Sequence, residues 1–315
     1  MAAKQKRGSL LSDIARNRFS YLIALPALVY VAIFSYSAYS YMIIAFQKYD
    51  YRHSGFLAML TRNKWVGLEN FRFFFASRNA LQVTRNTLYL NFLFIVVGTF
   101  VSVLLALMLN ELRCARFAKS AQAVMLFPSY ISWIVISYIL LSLFSNEYGI
   151  VVKLMGRLGM EHVNWYTSAD RWPAILVIVK TLKNSGMNSI IFLAAIAGID
   201  TTINESARID GASRFQIATR VTLPLIMPTV MIMTLLSVGR IMYGDFGMIY
   251  AFVGDNGTLY RTTDIIDTYL FRALRRVGDP AQAMAIGMFQ SVIGFVMVCG
   301  SNAIVRRFYP EGALY

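Results

Sequence analysis

The chain is organised around one polar stretch, Asn204-Glu205-Ser206-Ala207-Arg208-Ile209-Asp210-Gly211-Ala212-Ser213-Arg214-Phe215, which runs on through Val221-Thr222-Leu223-Pro224. This stretch is too short and too polar to cross a bilayer. The segments on either side of it, Ala174–Ile199 and Leu225–Val238, are apolar and look like membrane helices. The sequence therefore predicts a loop that is fixed at both ends and lies at the membrane surface.

The pattern inside this stretch predicts a compact helix-turn-helix. Thr202 and Glu205 have the spacing of a capping box, in which each side chain satisfies a free backbone N–H of the first turn. Gly211 is expected to end the helix, because glycine adopts the left-handed conformation without steric cost. A second amphipathic segment, Ser213–Thr222, is expected to end before Pro224. That proline fits the first turn of the next membrane helix, where its missing N–H needs no partner.

The same residues carry a family resemblance. At the right spacing, the stretch resembles the EAA loop (Glu-Ala-Ala, three residues, Gly, nine residues, Ile-x-Leu-Pro) of the membrane subunits of binding-protein-dependent ABC importers. Ser206 stands where the motif has Ala, and Val221 where it has Ile, and both changes nearly conserve size. The alternative interpretation is a capped cytosolic hairpin without that role. The resemblance implies a coupling helix that seats in a groove of an ATP-hydrolysing subunit, through Glu205, Ser206, Ala207, Arg208, Asp210, Gly211, Ala212, Leu223 and Pro224.

The composition is that of a multi-span membrane protein. Hydrophobic residues make up 57% of the 315 residues and charged residues only 15%. The net charge of +14 could indicate nucleic-acid binding, but the basic residues are scattered among the loops, which favours anionic lipid headgroups as their counterpart. Cys114 and Cys299 are far apart and indicate neither a disulfide framework nor a metal site.

Apolar runs of about twenty residues predict six membrane helices. We place them at Tyr21–Phe46, Leu88–Leu109, Ala121–Phe144, Ala174–Ile199, Leu225–Tyr250 and Ala283–Val305. The first run is longer than the core of a cleavable signal and is expected to be retained. The predicted organisation is a tail at 1–19, a six-helix permease domain at 20–305 with its coupling loop at 202–224, and a second tail at 306–315. The resemblance implies the type I, maltose-permease-like importer fold, all-α, in the bacterial cytoplasmic (inner) membrane.

The basic residues in the loops favour a cytoplasmic location for both termini. With this orientation the cytoplasmic segments are short and rich in Lys and Arg, but the first external loop is also basic. The orientation therefore depends mainly on the EAA-like loop, which has to meet an ATPase.

Two further resemblances narrow the substrate class. Val66-Gly67-Leu68-Glu69-Asn70-Phe71 is similar to a segment that precedes the second helix in sugar-importing ABC permeases, and is either structural or in contact with the ligand. The segments 263–269 and 285–291 resemble the branch that handles polysaccharide-derived oligosaccharides. Together these resemblances cover most of the chain.

Several motifs of enzymes are missing from the sequence. It contains no Gly-x-x-x-x-Gly-Lys-Ser/Thr loop for ATP phosphates and no Gly-x-Ser-x-Gly elbow, and His53 and His162 belong to no metal-ligand spacing. We therefore expect no catalysis and no cofactor in this chain. The resemblance implies that ATP and Mg²⁺ are bound by a partner ATPase.

Polar residues within the predicted spans are the candidates for a substrate path, because charges in a helix bundle usually face a partner or a water-filled route. Lys180 and Lys183 fall in the fourth span, and Arg240 and Asp245 in the fifth. Each cation could instead snorkel or pair with Asp245 or with backbone carbonyls. Three cations against one carboxylate indicate an acidic cargo. The full candidate set is Asn91, Lys180, Lys183, Asn184, Asn188, Arg240, Tyr243, Asp245 and Gln290.

Six spans form half of a pathway in the family that the chain resembles. The resemblance thus implies a second permease subunit, expected to be a different chain, together with two ATP-binding subunits and an extracytoplasmic solute-binding protein that delivers an oligosaccharide. The alternative is a secondary transporter driven by an ion gradient, but we find no convincing internal repeat. A membrane enzyme acting on lipid-linked sugars is a third possibility, and the sequence lacks an Asp-x-Asp motif.

Overall fold

The computed structural model describes residues 16–50, 52, 62–77, 79–159 and 163–308. His53, His162, most of the amino-terminal tail and residues 309–315 lie outside this part of the chain. Within it the regular structure is helical, apart from one antiparallel bridge between Gln47 and Trp65. The expected all-α membrane fold is confirmed.

The helices differ widely in length, and several continue into a 3₁₀ or π turn. In chain order they are α1 (Arg18–Val31, continued to Phe46), α2 (Glu69–Phe75), α3 (Ala80–Asn110), α4 (Ala115–Leu126, continued to Tyr130), α5 (Trp133–Phe144), α6 (Ile150–Arg157), α7 (Trp172–Ala197), α8 (Thr201–Ile209), α9 (Arg214–Ile217), α10 (Leu223–Val238), α11 (Phe246–Val253), α12 (Tyr260–Thr263), α13 (Ile266–Val277) and α14 (Pro280–Phe308).

In the described part of the chain, four helical stretches are each long and apolar enough to cross a membrane: Arg18–Phe46, Ala80–Asn110, Arg214–Val238 and Pro280–Arg307. Two bent pairs bring the total to as many as six. The first pair, Ala115–Tyr130 and Trp133–Phe144, bends by 94°, and the second, Ala169–Ala197 and Thr201–Ile209, bends by 75°. The second bend turns the chain from α7 into the polar stretch at 204–224.

The third predicted span, Ala121–Phe144, is wrong as a single helix. The chain breaks at Ile131 and Ser132, whose backbones are extended, and α5 starts afresh at Trp133. Pro128 opens the 3₁₀ turn before the break, and the Ser132 hydroxyl caps α5 by accepting from the Val135 N–H at 3.3 Å. The apolar side chains continue through the break, so hydropathy does not reveal it.

The fifth predicted span, Leu225–Tyr250, is also wrong as a single helix. The helix α10 ends at Val238, residues 239–245 form a turn, and α11 begins at Phe246. Arg240 and Asp245 therefore lie in a turn rather than within a helix. Asp245 caps α11, because its Oδ1 accepts from the Met248 N–H at 3.1 Å.

The chain separates into two compact units. The smaller, residues 1–73 and 279–288, has a small core in which Ile44 and Ala281 are buried and Tyr49 packs against them. The larger, residues 74–278 and 289–315, contains two buried apolar clusters. One is centred on Leu176, Met248 and Leu259, and the other on Ala106, Phe192 and Ile226.

Candidate functional site

The polar stretch at 204–224 folds as a hairpin of α8 and α9, but its first cap differs from the prediction. Asp200 precedes α8, and its carboxylate accepts from the Thr202 N–H at 2.9 Å. The Thr202–Glu205 capping box is therefore wrong, since Thr202 already lies inside the helix. The hydrogen bonds from Thr202 lower the pKa of the Asp200 carboxyl from its ordinary value of 3.8. Asp competes with Thr as a capping residue, and here it lies at the bend after α7.

The end of α8 has the glycine termination that the sequence predicts. Gly211 has φ +81°, in the left-handed region. The Ala212 N–H donates to the Ala207 carbonyl at 3.0 Å and the Gly211 N–H to the Arg208 carbonyl at 3.1 Å, which is the bond pattern of a Schellman motif. A capping box does occur, but at the start of α9: the Gln216 N–H donates to Ser213 Oγ at 3.3 Å, and the Ser213 N–H donates to Gln216 Oε1 at 2.7 Å. Both ends of the connection are thus fixed.

Pro224 lies in the first turn of α10, as predicted, but no break separates that helix from the segment before it. The chain is helical without interruption from Arg214 to Val238, and the turn Ala218–Thr222 just before Pro224 is π-helical. In an α-helix the proline ring clashes with the carbonyl four residues earlier and leaves it without a donor. The wider π turn relieves that conflict, so one continuous helix joins the hairpin to α10.

Most of the hairpin surface is exposed. Glu205, Arg208, Ile209 and Phe215 are all exposed, the last two at 86% and 77%, although both are large and apolar. Ile217 is buried and anchors α9. This chain thus presents a rigid, capped hairpin with uncovered apolar side chains.

Seven of the nine predicted path residues line one cavity of about 530 Å³ in the larger unit. They come from α3, from α7 and from the turn at 239–245: Asn91, Lys180, Asn184, Asn188, Arg240, Tyr243 and Asp245. Sequence reasoning missed Phe94, Thr99, Thr181, Ser185, Ser237 and Phe246. Thr181 and Ser185 could have been predicted from the sequence, because their spacing puts them on the same helical face as Asn188.

The described lining of the cavity has two positively charged side chains, Lys180 and Arg240, and one negatively charged side chain, Asp245. Lys180 Nζ lies 3.4 Å from Asp245 Oδ2 and 4.3 Å from the centre of the Phe94 ring. Arg240 is exposed and forms no salt bridge with any residue that the structure describes. Since Asp245 neutralises Lys180, the Arg240 guanidinium remains as the surplus positive charge.

Two amides in the cavity are available to a ligand. Asn184 and Asn188 project from α7, and neither side chain hydrogen-bonds to another described residue. Tyr243 is 37% exposed, and its hydroxyl lies 2.5 Å from Ser291 Oγ. The wall therefore combines amides, a hydroxyl pair and aromatic rings beside one guanidinium.

Lys183 does not line this cavity. It is buried on α7, and its ammonium donates to the carbonyls of Pro128, Ser129 and Ile131 at 3.2, 2.8 and 2.5 Å. These carbonyls lie at the break between α4 and α5, where the Ile131 N–H also donates to Pro128 at 3.2 Å and the ammonium is a shared donor to all three. The structure thus places Lys183 in the alternative role, pairing with backbone carbonyls.

Gln290 does not line the cavity either, but it supports a wall of it. Its Nε2 donates to the Met242 carbonyl at 2.8 Å. Asn91 Nδ2 donates to the carbonyls of Ile241 and Tyr243 at 2.8 and 3.1 Å, and the Gly244 N–H donates to Asp267 Oδ2 at 2.7 Å. Three side chains from three helices thus hold the turn that carries Arg240 and Asp245.

The segment Val66–Phe71 has structural contacts within the smaller unit. Asn70 is buried and donates to the carbonyls of Ala45 and Gln47, both at 2.9 Å. The preceding Trp65 stacks on Phe46 with ring centres 5.7 Å apart. These bonds fix the chain at the end of the first apolar helix.

The segment 263–269 is likewise built into the core of the larger unit. Asp264 is buried and paired with Arg272 at 2.5 Å, and Thr268 donates to Asp264 Oδ1 at 2.7 Å. The Ile266 N–H donates to Thr87 Oγ1 on α3 at 2.9 Å.

Residues 98–309 match the family described as "Binding-protein-dependent transport system inner membrane component". Two similar proteins come from Bacillus subtilis (strain 168). Protein LplB is 31% identical over 304 residues, covering 96% of this chain and 93% of LplB. The polygalacturonan/rhamnogalacturonan transport system permease protein YteP is 30% identical over 309 residues, covering 98% of this chain and 94% of YteP.

Two solved structures have the same fold. One is the crystal structure of a bacterial ABC transporter involved in the import of the acidic polysaccharide alginate, with a TM-score of 0.83, 30% identity, and coverage of 95% of this chain and 99% of that one. The other is a bacterial alginate ABC transporter in complex with an alginate pentasaccharide-bound periplasmic protein, also with a TM-score of 0.83, at 29% identity over 95% and 98% of the two chains.

Proposed function

This chain belongs to the family of binding-protein-dependent transport system inner membrane components, and from that premise we propose that it is the permease subunit of an ABC importer for acidic oligosaccharides. In this proposal it forms half of the translocation pathway. A second permease subunit supplies the other half, and a solute-binding protein delivers the cargo.

The composition of the cavity supports a carbohydrate cargo. Sugar hydroxyls both donate and accept hydrogen bonds, as the free amides of Asn184 and Asn188 do. The rings of Phe94, Tyr243 and Phe246 offer apolar faces in the same cavity. A volume of about 530 Å³ lies within the range of small-molecule sites.

The surplus charge at Arg240 carries the acidic part of the proposal. A guanidinium without a carboxylate partner in a polar cavity favours an anionic ligand, and its fork of donors matches a carboxylate in two-point geometry. The names of two similar proteins support this part: one is a polygalacturonan/rhamnogalacturonan transport system permease, and the other is an ABC transporter involved in the import of the acidic polysaccharide alginate.

The hairpin at 204–224 is the proposed connection to the ATPase. Its two caps make it stiff, and the exposed Ile209 and Phe215 are suited to a groove on another subunit. The helix from Arg214 to Val238 joins this hairpin to the turn at the cavity, so movement of the hairpin can reach the cavity wall. ATP and Mg²⁺ belong to the partner subunits, and both termini lie on the hairpin side.

The proposed preference for an acidic cargo is tested by measuring oligosaccharide uptake into proteoliposomes that contain the complete assembly. Arg240→Gln is compared with Arg157→Gln, which removes an exposed charge on α6 outside the cavity. We expect Arg240→Gln to reduce uptake of an oligogalacturonate at least about tenfold, because a hydrogen bond to a charged group is worth about 1.5–3 kcal/mol. Uptake of a neutral oligosaccharide of equal length should be unchanged, and Arg240→Lys should retain part of the uronate uptake.

If Arg240→Gln reduces the uptake of both oligosaccharides equally, or of neither, Arg240 does not support an acidic cargo. Uptake by the chain without ATPase subunits would contradict the importer itself and favour a gradient-driven transporter.

A further inference from the structure

A second cleft of about 620 Å³ lies beside the polar cavity in the larger unit. Its walls are α5 and α11 together with the loop before α7. The lining is largely aromatic and includes Trp133, Tyr138, Tyr166, Phe246, Tyr250 and Phe252.

The cleft and the cavity share one wall, because Phe246 lines both. Phe246 begins α11 and follows Asp245, which pairs with Lys180 in the wall of the cavity. The polar cavity and the cleft therefore meet at one aromatic ring.

The rings of the cleft are held in place from behind. Phe246 stacks on Tyr250 with centres 5.3 Å apart and an angle of 12°, and Phe271 packs against both rings at 5.0 and 5.1 Å. Trp133 of α5 meets Phe252 of α11 edge to face at 5.7 Å. Met248 and Ile249 of α11 are buried in the core. The cleft is thus preformed and loses little side-chain entropy on binding.

The exposed side of the cleft carries a tyrosine side chain and no charged side chain among its described residues. This tyrosine is Tyr138 on α5, which is 67% exposed. The flat rings of Tyr and Phe carry a negative face, onto which the polarised C–H groups of a pyranose can stack, while phenol and serine hydroxyls can bond to its rim.

On the basis of the proposed function, we infer that this aromatic cleft is an extended saccharide subsite, which takes sugar units of an oligosaccharide beyond those held by the cavity. The polar cavity selects the carboxylated unit through Arg240. The cleft then distinguishes long oligosaccharides from short ones by stacking.

The experiment measures the ratio of pentasaccharide to disaccharide uptake from an oligogalacturonate ladder, with the complete assembly in proteoliposomes and saturating binding protein. Tyr138→Ala removes the exposed ring, and Tyr138→Phe keeps it. Tyr130→Ala is the matched control, because Tyr130 is 75% exposed and does not line the cleft. We expect Tyr138→Ala to lower the ratio by about two- to tenfold, in line with the energy of one aromatic contact, while Tyr138→Phe and Tyr130→Ala leave it unchanged.

A second experiment measures the alkylation rate of a thiol placed in the cleft. Ser137→Cys, with Cys114 and Cys299 replaced by Ser, places a thiol in the lining of the cleft. In the assembly loaded with cargo, the pentasaccharide should slow its alkylation and the disaccharide should not.

An unchanged uptake ratio for Tyr138→Ala, or equal protection of the thiol by both lengths, would overturn the subsite. Equal loss of both lengths leaves the ratio unchanged and would likewise overturn the subsite. If the wild-type assembly imports no uronate of any length, the proposed function fails instead, which separates the two conclusions.

Discussion

At the residue scale, two lysines of α7 that are three positions apart have different environments. Lys180 points to the cavity and pairs with Asp245, whereas Lys183 is buried against three carbonyls at the break before α5. The sequence placed both on the same candidate path, because it shows spacing along one helix and not the partner that a second helix brings.

We predict that Lys183→Met destabilises the protein without changing which cargo it takes. The substitution leaves the carbonyls of Pro128, Ser129 and Ile131 without their shared donor, at a cost of about 1–3 kcal/mol. The measurement is the thermal unfolding midpoint in detergent, with Lys153→Met on the exposed face of α6 as control. Equal midpoints for the two variants would contradict a stabilising role for Lys183.

Gly211 ends α8 in the left-handed conformation that the sequence predicts. Its φ of +81° costs a residue with a Cβ about 1–2 kcal/mol. We expect Gly211→Val to insert into the membrane but to lose uptake and co-purification with the ATPase subunits. The control is Gly198→Ala, where φ is −82° and no left-handed backbone is required. A Gly211→Val transporter with normal uptake would count against coupling through the hairpin.

At the scale of elements, the sequence predicts where the chain is apolar better than where its helices break. The third and fifth spans both contain a break that their side-chain hydropathy does not show. At each break, side chains from other helices satisfy the freed backbone groups: Lys183 at the first, and Asn91, Gln290 and Asp267 at the second. These partners are remote in sequence, so periodicity within one segment cannot identify them.

The turn at 239–245 provides a prediction at this scale. Asn91→Leu removes donors to the Ile241 and Tyr243 carbonyls, and Gln290→Leu removes the donor to Met242. Because both variants disturb the placement of the whole turn, each should reduce uptake of acidic and neutral oligosaccharides alike, by about tenfold for a loss of 1–2 kcal/mol. Gln82→Leu is the control. Gln82 lies on the same helix as Asn91 and donates to the Tyr260 carbonyl, but it does not line the cavity.

Selective loss of only the acidic cargo in these variants would show that the two amides contact the ligand rather than position the turn. That outcome would place Gln290 as well as Asn91 on the substrate path that the sequence alone indicates, although only Asn91 lines the cavity.

At the scale of the whole molecule, the orientation of the larger unit can be tested with a native thiol. Cys114 is exposed in the short link after α3, where Glu111 lies 3.9 Å from Arg214 of the hairpin. If the hairpin faces the cytoplasm, Cys114 lies on the same side. The loop at 254–258, between α11 and α12, is expected on the opposite side.

We therefore predict that a membrane-impermeant maleimide labels Cys114 in inside-out vesicles and not in right-side-out vesicles, with Cys299 replaced by Ser. Asp255→Cys in a Cys114→Ser, Cys299→Ser background should show the reverse pattern, because Asp255 is exposed in the opposite loop. Labelling of Cys114 only from the outside would place the hairpin away from any ATPase and reject the coupling proposal.

The π turn at 218–222 has a consequence for the phase of the long helix from Arg214 to Val238. A π turn holds one residue more than the α turn it replaces, and each residue of an α-helix advances the chain by about 100° about its axis. Deleting a single residue there would narrow the wide turn to an α turn, so the hairpin and the cavity end would keep nearly the same angular alignment, but the ring of Pro224 would meet the carbonyl one α turn before it. The extra residue thus lets a proline lie inside a continuous helix without changing the direction in which Phe215 faces.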